Sequence, residues 1–190
     1  MKGTSHYLKQ AWKKPTREML KERMIAWREG NAIVKVDRPL RLDRARALGY
    51  KAKKGVLILR VRVKRGGRKR KRAGVKGRRT KRQTIRKTLK MNYRWVAEIR
   101  AARRYPSLEV LNSYLLVKDG KHGFYEVIMI DTSRPEIKKD RTLGWIVRGS
   151  NKKRAERGLT SAAKKSRGLR SKSPGRKTRP SIRARGRKGK

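Results

Sequence analysis

The chain has 190 residues, and 61 lysines and arginines against 13 aspartates and glutamates give it a net charge of +48. A compact body with that much like charge repels itself, so we expect a polyanionic partner, and nucleic acid is the densest one. The absence of cysteine excludes disulfide frameworks, thiol catalysis, iron–sulfur clusters and cysteine-ligated zinc. Leucine, isoleucine, valine and phenylalanine make up just under a fifth of the chain. At this charge, that fraction indicates a small packed core with long polar extensions.

The N-terminal part of the sequence predicts two helices. Ser5 is placed to cap a short first helix, and Pro15 suits the first turn of the second. Leu20 and Trp27 then fall on one helical stripe, and Gly30 is placed to end the helix.

The clearest strand runs from Val56 to Lys64, after an irregular and increasingly basic stretch at 31–54. Leucine and valine occupy every second position of this strand, and basic residues dominate the later alternate positions. Because successive side chains of a strand point to opposite faces, one face is expected to join the core. The other face is expected to present Arg60 and Arg62 as a cationic platform.

A basic arm is predicted after this strand, at 65–90. Of the 27 residues from Lys64 to Lys90, 15 are lysine or arginine and none is acidic. Glycines within the arm discourage regular structure. Because the arm cannot bury enough apolar surface to offset its backbone entropy, we expect 65–87 to be disordered without a nucleic-acid partner.

Three further elements are predicted after the arm. Residues 92–104 form a helical pattern in which Trp95 and Ile99 share the stripe that would face the aliphatic side of the strand. Residues 110–117 and 124–130 are two apolar runs separated by an Asp-Gly-containing connection, which predicts a β-hairpin.

The chain is accordingly divided into two parts. Residues 1–147 are expected to form a single α+β core that carries the N-terminal helices and the internal arm. Residues 148–190 are expected to be a basic extended tail, disordered without a nucleic-acid partner. Within the tail, 159–169 predicts one short helix capped by Thr160, and the rest is low-complexity sequence rich in Arg, Lys, Gly, Ser and Pro.

No catalytic or metal-binding arrangement is visible in the sequence. The phosphate-cradling and dinucleotide-binding motifs are absent, and His6 and His122 are far apart. His122 is expected to lie solvated in the hairpin turn. Glu126 and Asp131 are expected to pair with nearby cations rather than to act as an acid and a base. We therefore predict no enzymatic activity, no cofactor and no metal site.

The basic segments favour RNA over DNA as the partner. Glycine-punctuated arms can thread between the closely packed phosphates of folded RNA, and arginine both binds phosphate and stacks on bases. No zinc finger, leucine zipper or helix-turn-helix is recognisable. Tyr50, Tyr93, Trp95 and Trp145 adjoin basic residues and could stack on bases, although aromatic residues near a small core more often belong to it.

Two other functions stay open at this point. A chromatin-type DNA-compacting protein would share the charge, but such tails tend to be Lys-Ala-Pro repeats, whereas this tail is non-repetitive and rich in Arg, Gly and Ser. An RNA-modifying enzyme would need a cofactor loop or a convergent acid–base set, and neither is visible.

Long stretches of the sequence resemble one protein family. They are YLKQAWKKP at 7–15, RLDRARALGYKAKKGVLILRVRVKRGGRKR at 41–70, VLNSYLLVKDGKHGFYEVIMID at 110–131 and RGLTSAAKKSRGL at 157–169. Together they resemble large-subunit ribosomal protein fifteen of the archaeal and eukaryotic type. The resemblance extends over residues 3–170 in family order, and the short tail points to an archaeal source.

The resemblance implies a structural constituent of the large ribosomal subunit, located in the cytoplasmic ribosome and without enzymatic activity. The implied partners are large-subunit rRNA and neighbouring ribosomal proteins, with no membrane and no homo-oligomer expected. The implied fold is α+β, with a small antiparallel sheet packed with helices, an N-terminal helical segment and long basic extensions.

The candidate RNA-binding residues share a cationic side chain in or beside the basic segments. They are Arg44, Arg46, Lys51, Lys53, Lys54, Arg60, Arg62, Lys64, Arg65, Arg68, Lys69, Arg70, Lys71, Arg72, Lys76, Arg78, Arg79, Lys81, Arg82, Arg86, Lys87, Lys152, Lys153, Arg154, Arg157, Lys164, Lys165, Arg167, Arg170, Lys172, Arg176, Lys177, Arg179, Arg183 and Arg185.

Overall fold

The computed structural model describes residues 2–13, 15–67 and 89–170. Within these ranges the chain forms six α-helices and one four-stranded antiparallel sheet, which confirms the predicted α+β class. The elements are α1 (Thr4–Ala11), α2 (Arg17–Glu29), β1 (Ile33–Val36), α3 (Leu42–Ala47), β2 (Val56–Lys64), α4 (Tyr93–Arg104), β3 (Leu108–Lys118), β4 (His122–Asp131), α5 (Pro135–Lys138) and α6 (Ser161–Ser166), with 3₁₀ helices at Gly144–Val147 and Gly149–Asn151.

The sheet has the strand order β1-β2-β4-β3, and every neighbouring pair is antiparallel. The predicted strand is β2, with the same bounds, and the predicted hairpin is β3–β4. The stretch at 31–54 is not irregular throughout, because it contains β1 and α3. Each of these is too short, at four and six residues, to show a recognisable period in the sequence.

One face of the sheet packs against α4. Leu59 and Val61 of β2 are buried there with Ala97 and Ala101 of α4, whose small side chains let the helix approach the strands closely. Ile99 packs against the same cluster, as predicted. Trp95 instead lies against the C-terminal segment, where its indole Nε1 donates to the Ala155 carbonyl at 2.7 Å.

The opposite face of the sheet carries a second apolar cluster. Ile58 and Ile128 are buried there with Ala45 of α3, Ile137 of α5 and Ile146 of the first 3₁₀ helix. Both faces of the two central strands are therefore covered, and residues 123–130 of β4 are buried without interruption.

The expected cationic platform on this second face is covered by α2. The Arg60 guanidinium lies 4.7 Å from the centre of the Trp27 ring, and Arg62 donates to the carbonyls of Trp27, at 3.2 Å, and of Arg28. The last carbonyls of a helix have no partner within the helix, so a cation placed there both bonds them and complements the helix dipole. Strand periodicity shows which residues share a face, but it cannot show that another element covers that face.

Glu126 of β4 lies beside Arg60 on this covered face, since the two residues are paired in register. Its carboxyl is buried and accepts hydrogen bonds from the Tyr114 hydroxyl and from the Leu40 amide at 3.1 Å. Burial raises the pKa of Glu126 above its ordinary value of 4.5, and these hydrogen bonds and Arg60 oppose the rise. Asp131 pairs with a cation as expected, since its Oδ2 lies 3.4 Å from the Nε of Arg134. The Glu126 carboxyl instead accepts hydrogen bonds from Tyr114 and Leu40.

The N-terminal helices differ from prediction at their starts. The residue that caps α1 is Gly3 rather than Ser5, and the residue that caps α2 is Thr16, with Pro15 just outside the helix. The end of α2 at Gly30 is confirmed. The helix α1 packs against α3. Because Ala45 of α3 belongs to the second apolar cluster, this contact joins the N-terminal segment to that cluster.

We expect Leu59→Ala to lower the free energy of unfolding by about 2–5 kcal/mol, because it leaves a cavity between β2 and α4. The matched control on the same strand is Lys64→Ala, since Lys64 is exposed and its loss should change stability by less than about 0.5 kcal/mol. Chemical denaturation of the two variants and the wild type measures both effects. Equal stability of Leu59→Ala and wild type would contradict the packing described here.

The pKa of Glu126 in the folded protein is above its ordinary value of 4.5. As the pH rises, the Glu126 carboxyl therefore loses its proton at a lower pH in the unfolded chain than in the folded protein. Stability should therefore fall as the pH rises above 4.5 and level off above the folded-state pKa, by about 1.4 kcal/mol per pKa unit of difference. Glu126→Gln should reduce this descent in denaturation curves measured across the pH range, while the exposed Glu136→Gln should leave it unchanged. An unaltered descent in Glu126→Gln would show that Glu126 does not contribute to it.

Candidate nucleic-acid interface

Residues 148–170 pack against the core rather than extending from it as the expected tail. Ala155 is buried beside α4, and Ala162 and Ala163 of α6 are also buried. The predicted short helix with its Thr160 cap is confirmed, since the Thr160 side chain accepts from the Ala163 amide. The count of leucine, isoleucine, valine and phenylalanine leaves out alanine, so it gives no sign of a segment that packs through alanines.

A buried carboxyl joins this C-terminal segment to the sheet. Glu98 of α4 accepts from the Ser113 hydroxyl of β3 at 2.5 Å and from the Thr160 hydroxyl that caps α6. Burial raises the pKa of Glu98, and the two hydroxyl donors, Arg94 and Arg154 oppose the rise. One acidic side chain therefore holds three elements from separate parts of the sequence.

Asn92 and Arg154 make further connections between the same elements. The Asn92 side chain caps α4 at the Trp95 amide and donates to the Ala162 carbonyl at 2.8 Å. The guanidinium Nη1 of Arg154 donates to the carbonyls of Val110 at 2.5 Å and of Leu111 at 2.6 Å. Arg154 was a candidate phosphate contact, but its burial and these bonds give it a role within the protein.

An open groove of about 840 Å³ lies between the end of α3, β3, the 3₁₀ helix at Gly144–Val147 and α6. We call it the cationic groove, because five cations line it and, in the part of the chain that is described, no carboxylate does. The five are candidates from the sequence, and the structure brings them together from distant positions: Arg46, Lys51, Arg154, Lys164 and Arg170.

An acidic residue lies just outside the cationic groove. Asp140 pairs with Lys53 and, at 3.5 Å, with Lys51. The Lys53 ammonium and the Thr142 hydroxyl and amide hold the pKa of Asp140 below its ordinary value of 3.8. Arg46, Lys164 and Arg170 form no ion pair with any carboxylate in the described ranges, so these three carry the uncompensated charge of the groove.

The remaining described candidates are spread around the surface and do not converge on the groove. Arg167 is partly buried and donates to the Gly158 carbonyl at 3.0 Å, and Arg65 donates to the Asp119 carbonyl. The exposed members are Arg44, Lys54, Lys64, Arg65, Lys152, Lys153, Arg157 and Lys165.

Two further groups of candidates lie outside the described residues and stay predictions. They are Arg68, Lys69, Arg70, Lys71, Arg72, Lys76, Arg78, Arg79, Lys81, Arg82, Arg86 and Lys87 in the arm, and Lys172, Arg176, Lys177, Arg179, Arg183 and Arg185 in the tail. The expectation that the arm and the end of the tail are disordered without RNA also falls on these positions.

The four aromatic candidates have different surroundings. The Tyr93 hydroxyl bonds both the amide and the carbonyl of Gly66, and the Trp95 indole is held at Ala155. Tyr50 also lines the cationic groove, but it is partly buried against the second apolar cluster. Trp145 is 39% exposed and lines the cationic groove, which makes it the aromatic residue best placed to meet a ligand there.

The histidine expected in the hairpin turn is instead the first residue of β4. His122 is partly buried, and its Nδ1 lies 3.8 Å from Asp119. Across the described ranges, no group of three or more His, Asp and Glu side chains is arranged to hold a metal ion. Nor does any helix in those ranges have the length and apolarity needed to cross a membrane.

Comparison with known proteins assigns the chain to a family. A family model described as Ribosomal L15 matches residues 3–185. The chain belongs to this family of ribosomal proteins. The large ribosomal subunit protein eL15 of Methanocella arvoryzae is 47% identical over 196 aligned positions, which cover 100% of both chains. The protein of the same name from Methanospirillum hungatei is 50% identical over 184 positions, 94% of this chain and 93% of the relative.

These matches confirm the family resemblance derived from the sequence. Both relatives are archaeal and named as proteins of the large ribosomal subunit, which fits the expected archaeal source.

We expect Thr160→Val to destabilise the attachment of the C-terminal segment. The change removes both the hydroxyl donor to Glu98 and the cap of α6, which should lower the free energy of unfolding by about 1–3 kcal/mol. It should also expose 149–170 to limited proteolysis before the sheet is cleaved. Thr132→Val, at a threonine outside this cluster, is the matched control. Wild-type stability and wild-type protease resistance in Thr160→Val would contradict the role given to Glu98.

Proposed function

We propose that this protein is a structural constituent of the large ribosomal subunit that binds large-subunit rRNA and stabilises its folded form, without catalysing a reaction. Membership of the family and the names of its relatives support a place in the cytoplasmic ribosome, beside other large-subunit proteins. The observation that carries the RNA-binding proposal is the cationic groove, where uncompensated cations from distant parts of the chain meet.

The proposed mechanism is electrostatic. RNA helices that pack together repel each other through their phosphates, and cations placed between them replace the released counterions. The folded core positions the cationic groove, and the arm at 65–90 and the tail at 171–190 supply a further high density of charge. Phosphate contacts position a protein without reading sequence, so specificity would come from the shape of the folded rRNA.

The last described residue before the tail is part of the groove. Arg170 lines the groove and is followed directly by 171–190, where nine of 20 residues are lysine or arginine. An RNA strand bound in the groove would therefore meet the tail without any change in the core. For this reason we include Arg46, Lys164 and Arg170 in the proposed interface, and we leave out Arg60, Arg62 and Arg154, whose guanidinium groups bond or stack within the protein.

The test compares two variants of equal charge. In Arg46→Gln/Lys164→Gln/Arg170→Gln the groove loses three cations, and in Lys35→Gln/Lys118→Gln/Lys121→Gln three exposed cations are lost elsewhere. Affinity for a folded large-subunit rRNA domain is measured over a range of salt concentrations. Each lost phosphate contact should reduce the slope of log affinity against log salt by about 0.7–0.9, so the groove variant should lose about 2–3 units.

The wild type should show a slope steeper than about −4, and duplex DNA should compete poorly with the rRNA domain. The control variant should keep the wild-type slope. Equal losses in the two variants would remove the groove from the interface, and equal competition by duplex DNA would favour the DNA-compacting alternative.

A further inference from the structure

We propose that the cationic groove holds one unpaired nucleotide of the bound RNA, with its base stacked on Trp145 and its phosphates on the surrounding cations. This inference rests on the proposed function and adds the class of RNA element that the groove accepts. Three observations support it: the exposure of Trp145 on a closely packed backbone, the position of Arg154 over its ring, and the volume of the groove.

Trp145 is an exposed indole on a fixed backbone. It lies in the 3₁₀ helix Gly144–Val147, where the next residue, Ile146, is buried in the second apolar cluster. The Asn151 side-chain Nδ2 donates to the Trp145 carbonyl at 2.6 Å, and a Cβ on Gly144 would lie 3.0 Å from the Lys138 carbonyl oxygen. The ring is therefore presented to the groove by a closely packed support, while 39% of the residue's surface stays accessible.

Arg154 lies over the indole. Its guanidinium carbon is 4.9 Å from the centre of the Trp145 ring, within the range of a cation–π contact. A guanidinium over one face of an indole leaves the other face for a base, in the arrangement of aromatic and arginine groups that RNA-binding sites use.

Arg154 is held within the protein rather than offered to a phosphate. The residue is only 8% exposed, its Nε is buried, and its Nη1 bonds the carbonyls of Val110 and Leu111. Its contribution to the proposed site is therefore to support the indole, while Arg46, Lys164 and Arg170 remain for the phosphates.

The dimensions of the groove favour a single nucleotide over a duplex. A volume of about 840 Å³ falls in the range of small-molecule sites. A duplex presents its bases inside the stack, so no base face could reach Trp145 without being extruded. A strand of unpaired RNA can place one base on the indole and its flanking phosphates on Arg46, Lys164 and Arg170.

The experiment separates the base from the phosphates. The affinity of the full-length protein is measured for a short single-stranded oligouridylate and for an abasic oligomer of the same length and charge. The ratio of the two affinities measures the contribution of the bases, because the phosphates and their contacts with the tails are the same in both.

Trp145→Leu keeps an apolar side chain under Arg154 but removes the ring that can stack. It should reduce the affinity ratio by about 5- to 150-fold, whereas Trp145→Phe should keep most of it and neither variant should change the salt slope. The matched control is Tyr7→Leu, at an aromatic residue of α1 that is 59% exposed, and it should leave the ratio unchanged. Thermal unfolding verifies that all variants are folded.

An affinity ratio in Trp145→Leu equal to that of the wild type would overturn the inference. A ratio near one in the wild type, which would mean that the bases contribute nothing, would overturn it as well. Neither result affects the proposed function, which fails only if the wild type does not prefer the folded rRNA domain to duplex DNA. Loss of the ratio in Trp145→Leu together with retained binding of the rRNA domain supports both.

Discussion

The buried carboxyl of Glu98 is the interaction on which the arrangement of the candidate interface depends. Through the hydroxyls of Ser113 and Thr160 it joins α4, β3 and the start of α6. Lys164 and Arg170 reach the cationic groove only because α6 is held against β3, and Arg154 is fixed between the same elements. A buried residue that does not itself line the groove therefore fixes the position of cations that do.

The placement of the acids explains how so basic a chain folds. Four of its 13 acidic residues, Asp43, Glu98, Glu126 and Asp140, are buried, and each lies near cationic side chains. Acids placed inside reduce repulsion among the cations that pack against the core, where the low dielectric makes each interaction stronger. The surface is left with a large excess of positive charge, which is available to a polyanion. In the part of the chain that the structure describes, no carboxylate lines the cationic groove.

Sequence patterns predicted the regular elements well and their mutual packing poorly. The β2 strand, the α4 helix and the hairpin follow from local periodicity, because each is long enough for its alternation or helical stripe to be recognised. The covering of Arg60 and Arg62 by α2 depends on a contact across the chain that no local pattern records. The packing of 148–170 was missed because alanines and hydrogen-bonded polar side chains, rather than large apolar residues, attach it. The cations of the groove were predicted one by one, but their convergence needed the fold.

Charge alone does not select RNA among polyanions, since phosphate contacts are similar on any nucleic acid. A stacking position changes this, because it can be filled only by a base that is already free of a duplex. Duplex DNA would have to extrude a base first, at a cost in unpairing and unstacking, whereas the loops and bulges of folded RNA present such bases at no cost. The proposed position on Trp145 would therefore convert a general attraction for phosphates into a preference for folded RNA. Because Trp145 lies on a 3₁₀ helix whose Ile146 is buried against the sheet, that preference would depend on the same packing that positions the cations.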